Sequence, residues 1–510
     1  MSQEHKGRMK LTLLALALWL WAVPCSFAAG KSGPPRIDVI LWFDTEDYLL
    51  LADDDACLRL ANLLTERKIR ATFKMVGEKA RVLEQRGRKD VIKALRQHDI
   101  GYHSDFHSVH PTPTEYLADC GWLDGVAEFA RREGDGAADV RRIFRVKTLS
   151  CYGQPGSSWG PQTLAALKDI GVAPDGIPCY VDEGQHVGYN QQPFWYAGAL
   201  NVFNMGRGRG YTRMELHDPA ALEPAKKEVS AMVQRLGERD TGGLISIFYH
   251  PCEWVHQQFW DGVNFSRGAN PPREQWKAPG QLTAEETEGA LARFALYVDH
   301  IRSLPGVRFV TASDLPGIYA DSLRRDGATA EEMSELVQRI ASGLDVQVIG
   351  GTAFSVADQF ELFTEAVAQR IEGKAVKFPV AARGLIGPDA APPTNAPTQV
   401  PWPAFRDTVL DVRDYIRTHR RVPPRVFFGT EAMAPADFLI ALASVYSAAS
   451  PLADVALPQN TPILTMRHIA TDTPKLFGGW VIHKEGFRAP KLMELARLQA
   501  WSLKPALRKE

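Results

Sequence analysis

Three histidines fall within the eight residues His103 to His110, in a chain that holds 13 histidines in 510 residues. They lie in the stretch Asp99-Ile-Gly-Tyr-His-Ser-Asp-Phe-His-Ser-Val-His-Pro111. His103 and His107 are four apart. On a helical turn that spacing puts two imidazoles on one face, as metal ligands require. A polar loop rich in histidine would read the same way, so the pair needs partners from elsewhere in the chain. Asp44-Thr-Glu-Asp47 offers some, with three carboxylates directly after the apolar run Arg36–Phe43. Carboxylates beside a buried strand are costly unless paired or metal-bound. Capping a helix is their other use. Asp53-Asp-Asp55 is the better cap for the amphipathic helix expected over Asp53–Lys68. His250 ends a second strongly apolar run, Gly242–Tyr249.

These residues need a scaffold that brings distant strand ends together. Further strands are expected at Ile69–Val76, Asp99–His103, Arg142–Leu149, Asp175–Asp182 and Val307–Thr311. Helices are expected at Lys89–His98, Thr114–Glu133, Gly160–Gly171, Pro219–Asp240 and Thr283–Leu304. Thr283 with Glu286 three residues on spells a capping box at the start of the last of these. Strand and helix alternate from about residue 36 to about 319, which predicts an α/β protein with a mostly parallel sheet and helices outside. Five strand ends carry polar chemistry: Asp44–Asp47, His103–His107, Gly153–Ser157, Asp175–Asp182 and His250. In a β/α barrel such ends share one face, where active sites sit.

Taken together, these clusters resemble the NodB-homology polysaccharide deacetylases over roughly residues 36–320. The motifs are Phe43-Asp-Thr-Glu-Asp47, Ala71-Thr-Phe-Lys74, His103-Ser-Asp-Phe-His107, Gln154-Pro-Gly-Ser-Ser-Trp-Gly-Pro-Gln-Thr-Leu164 and Leu244-Ile-Ser-Ile-Phe-Tyr-His-Pro251. The resemblance implies an irregular (β/α) barrel and one divalent metal ion, zinc first, with cobalt, nickel or manganese as alternatives. It implies His103 and His107 as ligands, Asp44 as catalytic base and His250 as general acid. Glu46 is the expected carboxylate ligand, since it shares Asp44's side-chain parity if the strand continues; Asp47 is the alternative. Substrate contacts are expected at Tyr152, Pro155, Trp159 and Asp182, with an oxyanion donor among the backbone amides of Tyr152–Gln154. One departure stands out. The family's third motif usually opens with an arginine that braces the base, and Gly153 stands near that place. Arg145 or Lys147 is expected to substitute, and Asp175 or Asp182 to tune His250. The implied reaction is removal of acetyl groups, as acetamide or acetyl ester, from peptidoglycan or an exopolysaccharide. The competing readings are an amidohydrolase of a small C–N substrate and a catalytically weak glycan-binding protein on the same barrel.

Composition fits this picture. The chain is 45% hydrophobic and 23% charged with a formal charge of -1, a globular balance with nothing that favours nucleic acid. Lys6, Arg8 and Lys10 precede the apolar run Leu11–Val23, then small residues at Ser26 and Ala28. This reads as a signal peptide over residues 1–29, cleaved after Ala28 or Ala29, so the product is expected to be secreted or periplasmic without a stable membrane span. An uncleaved anchor is the alternative. The mature chain keeps Cys57, Cys120, Cys151, Cys179 and Cys252, an odd number with no metal-binding spacing, so no disulfide framework is expected.

The barrel is expected over 30–322 and a smaller α-rich accessory region over 323–510. Within the latter, Gly351-Thr-Ala-Phe-Ser-Val-Ala-Asp-Gln-Phe360 and Gly429-Thr-Glu-Ala-Met-Ala-Pro-Ala-Asp-Phe438 look alike. They predict an internal duplication, about 331–386 and 404–470, separated by a proline-rich linker. The pattern of helix, proline turn, short strand and helix resembles pseudomurein-binding repeats, which implies docking on glycan or wall polymer. A purely structural extension is the alternative.

Overall fold

Nine consecutive apolar or chemistry-bearing residues, Ile37–Thr45, form β1, and all nine are buried. A strand buried on both faces belongs inside a parallel sheet, and that is its place in the computed structural model. The structure describes residues 36–340, 343–393, 397–448 and 453–508; the signal peptide expected over 1–29 lies outside them. Among the described residues no helix is long and apolar enough to cross a membrane.

The next strands are β2 (Thr72–Met75), β3 (Asp99–Tyr102), β4 (Cys179–Val181), β5 (Phe194–Tyr196), β6 (Ala199–Val202), β7 (Gly243–Tyr249) and β8 (Val307–Val310). β7 runs parallel to β1 along Ile37–Phe43. β1's other edge is shared, with β8 on Ile37–Ile40 and β2 on Trp42–Thr45, both parallel. β3 continues the parallel sheet beyond β2. Single bridges from Tyr102 to Tyr152 and from Tyr152 to Tyr180 carry it on to β4, which pairs parallel with β6. The fold is therefore α/β, an irregular barrel. The carboxyl ends of β1, β2, β3, β4 and β7 open on one face, with Asp44, Lys74, His103, Asp182 and His250 at or just past them.

Helices at Leu51–Glu66, Lys89–Leu95, Leu222–Gly237 and Ala284–Ser303 follow the expected pattern, the last with the Thr283–Glu286 capping box. Two elements differ, and the first is the helix expected over Thr114–Glu133, which is split into Pro113–Leu117 and a longer helix from Trp122. The segment expected as a strand at Arg142–Leu149 begins instead inside a helix, Trp122–Phe144, that ends at Arg145 in the left-handed conformation. Gly134-Asp-Gly136 lies inside this helix and does not end it. Gly136 instead allows a close approach: a Cβ there would lie 2.4 Å from Asp105 Oδ1 and 2.6 Å from the Tyr102 hydroxyl. Propensity gave way to packing.

Beyond residue 320 the same unit occurs twice. Helix Ala330–Ile340 is followed by the hairpin β9 (Gln347–Ile349) and β10 (Thr352–Phe354), then by helix Val356–Ile371. After β11 (Gln399–Pro401), helix Trp402–His419 is followed by the hairpin β12 (Val426–Phe428) and β13 (Glu431–Met433), then by helix Pro435–Ser447. Asp358 and Asp437 hold equivalent places in the first turns of the two closing helices. β14 (Asp454–Ala456) pairs with β11. The chain then returns to the barrel, where Phe477, Leu492, Met493 and Leu503 join its core. β15 (Lys504–Pro505) adds to β5, antiparallel. Lys504, nearly fully buried, bridges Asp321 at 2.8 Å and Asp358 at 2.9 Å. The described residues form one compact unit.

Candidate active site

β1 delivers Asp44 and Glu46 to the mouth of the barrel, both about 95% buried. His103 follows β3, and His107 sits in the next turn with a left-handed φ of 59°. His107 Nε2 lies 2.8 Å from Glu46 Oε2 and His103 Nε2 lies 3.5 Å from it. The ligand atoms of Glu46, His103 and His107 fall within 4.8 Å of one another. Each ring is aimed by its far nitrogen: His103 Nδ1 is 3.0 Å from the Gly153 carbonyl, and His107 Nδ1 is 2.6 Å from Ser108 Oγ. A carbonyl only accepts, so His103 carries its proton on Nδ1 and turns a lone pair inward. Both Nε2 atoms are buried; His103 Nε2 has no hydrogen-bond partner, and His107 Nε2 meets only Glu46. An orphaned His103 Nε2 turned toward a carboxylate whose only other close partner is His107 is costly unless a cation takes its lone pair. This donor set fits a divalent metal ion, zinc or a neighbour in the first transition row.

Asp47, the alternative ligand, turns away from this group. It clusters with Asp53 and His256, whose Nε2 is 2.9 Å from Asp53 and 3.6 Å from Asp47. Successive side chains on an extended backbone point to opposite sides, so Glu46 and Asp47 cannot share one site.

The cation beside Asp44 is Lys74, from the adjacent strand. The two residues are direct register partners across β1 and β2, and Lys74 Nζ is 2.8 Å from Asp44 Oδ1. The same ammonium donates to the Val181 carbonyl at 2.8 Å, faces Asp182 Oδ2 at 3.4 Å and sits 4.0 Å over the Trp42 ring. Arg145 and Lys147, the expected substitutes, do not reach it: Arg145 caps a helix, and Lys147 is exposed beside Asp175. The reason is steric. A fully buried lysine needs a channel, and two glycines provide one. A Cβ on Gly153 would stand 1.9 Å from Lys74 Nζ, and one on Gly101 would stand 3.1 Å from its Cγ. Gly153 is thus the mark of where the cation lies.

Burial pushes the Asp44 carboxyl up, but His103, Lys74 and His250 outweigh it and hold Asp44 below its ordinary value. Lys74 serves two buried carboxylates and charges one of them. Asp182, farther away and beside ionised Asp44, is pushed by burial up to about 7.

His250 completes the group, with Nε2 3.6 Å from Asp44 Oδ2 and 3.9 Å from Glu46 Oε2. Its orienting acid is Glu253, neither Asp175 nor Asp182. Glu253 Oε1 is 2.8 Å from His250 Nδ1 and also accepts from the His250 amide. Its other oxygen pairs with Arg213. Glu253 sits three residues on, in the short turn Pro251–Trp254 that its own amide closes on the His250 carbonyl. Burial opposes the charged imidazole, but Glu46, Glu253 and Asp44 together raise His250 to about 9. Arg213 and His250 hold Glu253 down to about 2 against its burial.

The expected substrate contacts separate. Asp182 lines a cavity of about 270 Å³ together with Asp44, His250, Trp42, Phe248 and Gln154. Tyr152 and Trp159 lie in the barrel core, packed against Tyr180 and His186 respectively, and Pro155 is buried outside the cavity lining. The amides of Tyr152 and Gly153 already donate to Cys179 and Tyr102 carbonyls, so neither serves an oxyanion. His110 pairs with Glu115 away from the cluster. Among the described residues the five cysteines are free.

No family model matches the chain, and no curated protein sequence does. Among solved structures it is similar to one from Mycobacterium smegmatis assigned as a polysaccharide deacetylase, at 14% identity and TM-score 0.35, covering 60% of this chain and 94% of that one. It is similar to the Bc1960 peptidoglycan N-acetylglucosamine deacetylase at 16% identity and TM-score 0.28, covering 56% and 90%. It is also similar to a family 4 acetyl xylan esterase from Clostridium thermocellum in complex with cobalt, at 14% and 0.29, covering 55% and 91%. The chain is thus similar to polysaccharide deacetylases over somewhat more than half its length, and what it does has to be argued from its own residues.

Proposed function

We propose that this chain is a metal-dependent hydrolase that removes acetyl groups, as acetamide or acetyl ester, from a cell-wall or extracellular polysaccharide. One observation carries the reading: an orphaned His103–His107–Glu46 donor set stands between an ionised carboxylate braced by Lys74 and a histidine charged by Glu253. A divalent ion held by Glu46, His103 and His107 would supply Lewis acidity for the acyl oxygen and the attacking water. Asp44 takes the water's proton on Oδ2, the oxygen Lys74 leaves open, and its lowered value keeps it ionised and ready at neutral pH. His250 holds a proton on Nε2, which faces the cluster, and gives it to the leaving nitrogen or oxygen. Glu253 keeps that imidazole charged and fixes its plane. The cation beside Asp44 favours catalysis over a glycan-binding protein that has lost its base.

We propose secretion or a periplasmic location on the basic, apolar and small-residue pattern of the N-terminus. The duplicated units are proposed to dock the enzyme on wall polymer, on their resemblance to pseudomurein-binding repeats.

Acetate release from a panel of N-acetylated and O-acetylated glycans tests the activity, with the chain freed of metal and then given zinc, cobalt or nickel. Release is expected only with metal and only where His103 is intact. Metal-independent release, or none on any glycan, would sink the proposal.

The pH profile supplies a second test. His250 acts charged, so activity is present below its folded value and lost as pH rises through it. The alkaline limb of kcat/KM is expected at or below about 9, because a divalent cation on Glu46 removes part of the negative field that raises it. Glu253→Gln takes away a further charge and moves that limb to lower pH, with kcat reduced on the order of 10²-fold. An unmoved limb would remove His250 from the acid role.

A further inference from the structure

The cavity that holds Asp44 and His250 is not built by the barrel alone. A strap from far along the chain, Pro474–Gly478 and the two residues after it, adds Leu476, Gly479 and Trp480 to its lining. The strap is tied down at several points. Ser157 Oγ, in the third motif, donates to the Phe477 carbonyl at 2.6 Å. His483 contacts the same carbonyl at 2.9 Å and Thr112 Oγ1 at 3.3 Å. Trp480 Nε1 donates to Asp261 Oδ2. The indole stands edge-on to the His107 ring at 5.3 Å and rests on the backbone of Gly156, where a Cβ would lie 2.2 Å from it. One Trp480 surface stays half-exposed.

A groove for the interior of a polysaccharide must let flanking sugars leave on both sides of the reacting unit. Here the side next to His107 is walled by Trp480 and anchored to Asp261. The cavity of about 270 Å³ falls near the lower end of the roughly 300–1,000 Å³ usual for ligand sites. That is room for a single sugar ring. The remaining lining is mostly polar, with Gln154, Asp182, Glu183 and Gln185, because Lys74 and Phe248 cover the two faces of the Trp42 ring. Several convergent polar side chains suit the hydroxyls of a pyranose.

We propose that Trp480 and its strap close one end of the cleft, so that the enzyme acts on the terminal unit of a glycan or on short oligosaccharides, and not on interior units. The inference rests on the deacetylase reading and narrows its substrate.

The test uses the full mature chain, zinc-loaded, on β-1,4-linked N-acetylglucosamine oligomers of one to five units labelled at the reducing end. Mass-spectrometric sequencing reads which acetyl leaves first. Wild type is expected to prefer a terminal unit by about tenfold or more, with kcat/KM not rising from dimer to pentamer. Trp480→Ala is expected to raise KM on short oligomers more than it lowers kcat and to weaken the terminal preference, while Trp480→Phe keeps it. Release spread evenly along the pentamer by active wild type overturns the inference and leaves the deacetylase reading standing. No acetate from these oligomers, with release from long polymer, overturns it also. No acetate from any glycan removes both. The wild-type pattern decides the matter even if the alanine variant folds poorly.

Discussion

Lys74→Met is expected to lower kcat by roughly 10²–10⁴-fold, the usual worth of a positioned general base, while one metal ion per chain is still bound. Lys74 touches Asp44 and Asp182 and none of the metal-binding atoms. Removing it leaves a buried carboxylate without its cation, which costs about 3–5 kcal/mol of stability. Protonating Asp44 relieves that cost, so the catalytic consequence is a base that is no longer ionised. The sign follows. Asp44 is held below its ordinary value, so wild-type activity falls only as pH drops through that lowered value. In Lys74→Met the acidic limb of kcat/KM moves up toward neutrality. A variant that lost activity by misfolding would not move that limb in its surviving fraction. An unmoved limb with kcat intact would take Lys74 out of the site.

The same geometry predicts that positions 74 and 153 depend on each other. Gly153→Arg alone drives a side chain into Lys74 Nζ and the Val181 carbonyl, which lie 1.9 and 2.7 Å from the site of its Cβ. Combined with Lys74→Ala, the arginine enters the vacated channel and restores a cation beside Asp44. The double variant is expected to be more active than either single one. Additive losses would show that the glycine is small for another reason.

This pair also shows where the sequence was legible. Asp44, Glu46, His103, His107 and His250 could be read because each sits where an apolar run stops, and burial makes a polar residue there conspicuous. Parity along an extended strand favours Glu46 over Asp47, and the two side chains do join different clusters. Lys74 was visible in the same way, a lone ammonium in Thr72-Phe-Lys-Met75, yet a lysine in a strand reads by default as an exposed edge. Only the register with Asp44, and the two glycines 27 and 79 residues on, reveal it as buried. Glu253 lies only three residues beyond His250, but nothing in the spelling His250-Pro-Cys-Glu253 marks it as the partner. Trp480 gave no local signal, because its partners His107, Gly156 and Asp261 are hundreds of residues away and no periodicity encodes such a contact. Tyr152 and Trp159 misled for the opposite reason: an aromatic near a motif is as useful to the core as to a sugar. The helix running through Gly136 shows that a glycine may mark a close approach as readily as a stop.

Metal is expected to stabilise the folded chain by about 4 kcal/mol when free zinc is present at roughly a thousand times its dissociation constant, since the ion binds the native group and not the unfolded chain. The wild-type Tm therefore rises with zinc and falls with chelator. His103→Ala and Glu46→Gln each remove one of three converging donors, so both are expected to lose the rise and the bound ion together, and kcat with them. Asp47→Asn is the discriminating control. Its carboxylate faces Asp53 and His256, so bound zinc and the Tm rise should survive its loss. The reverse pattern, with Asp47→Asn losing metal and Glu46→Gln keeping it, would mean that the ion sits on the converging Asp47, Asp53 and His256 side chains and that the cluster built on Glu46 is not the metal site. Metal content by elemental analysis, beside the Tm series, separates the two outcomes without relying on turnover.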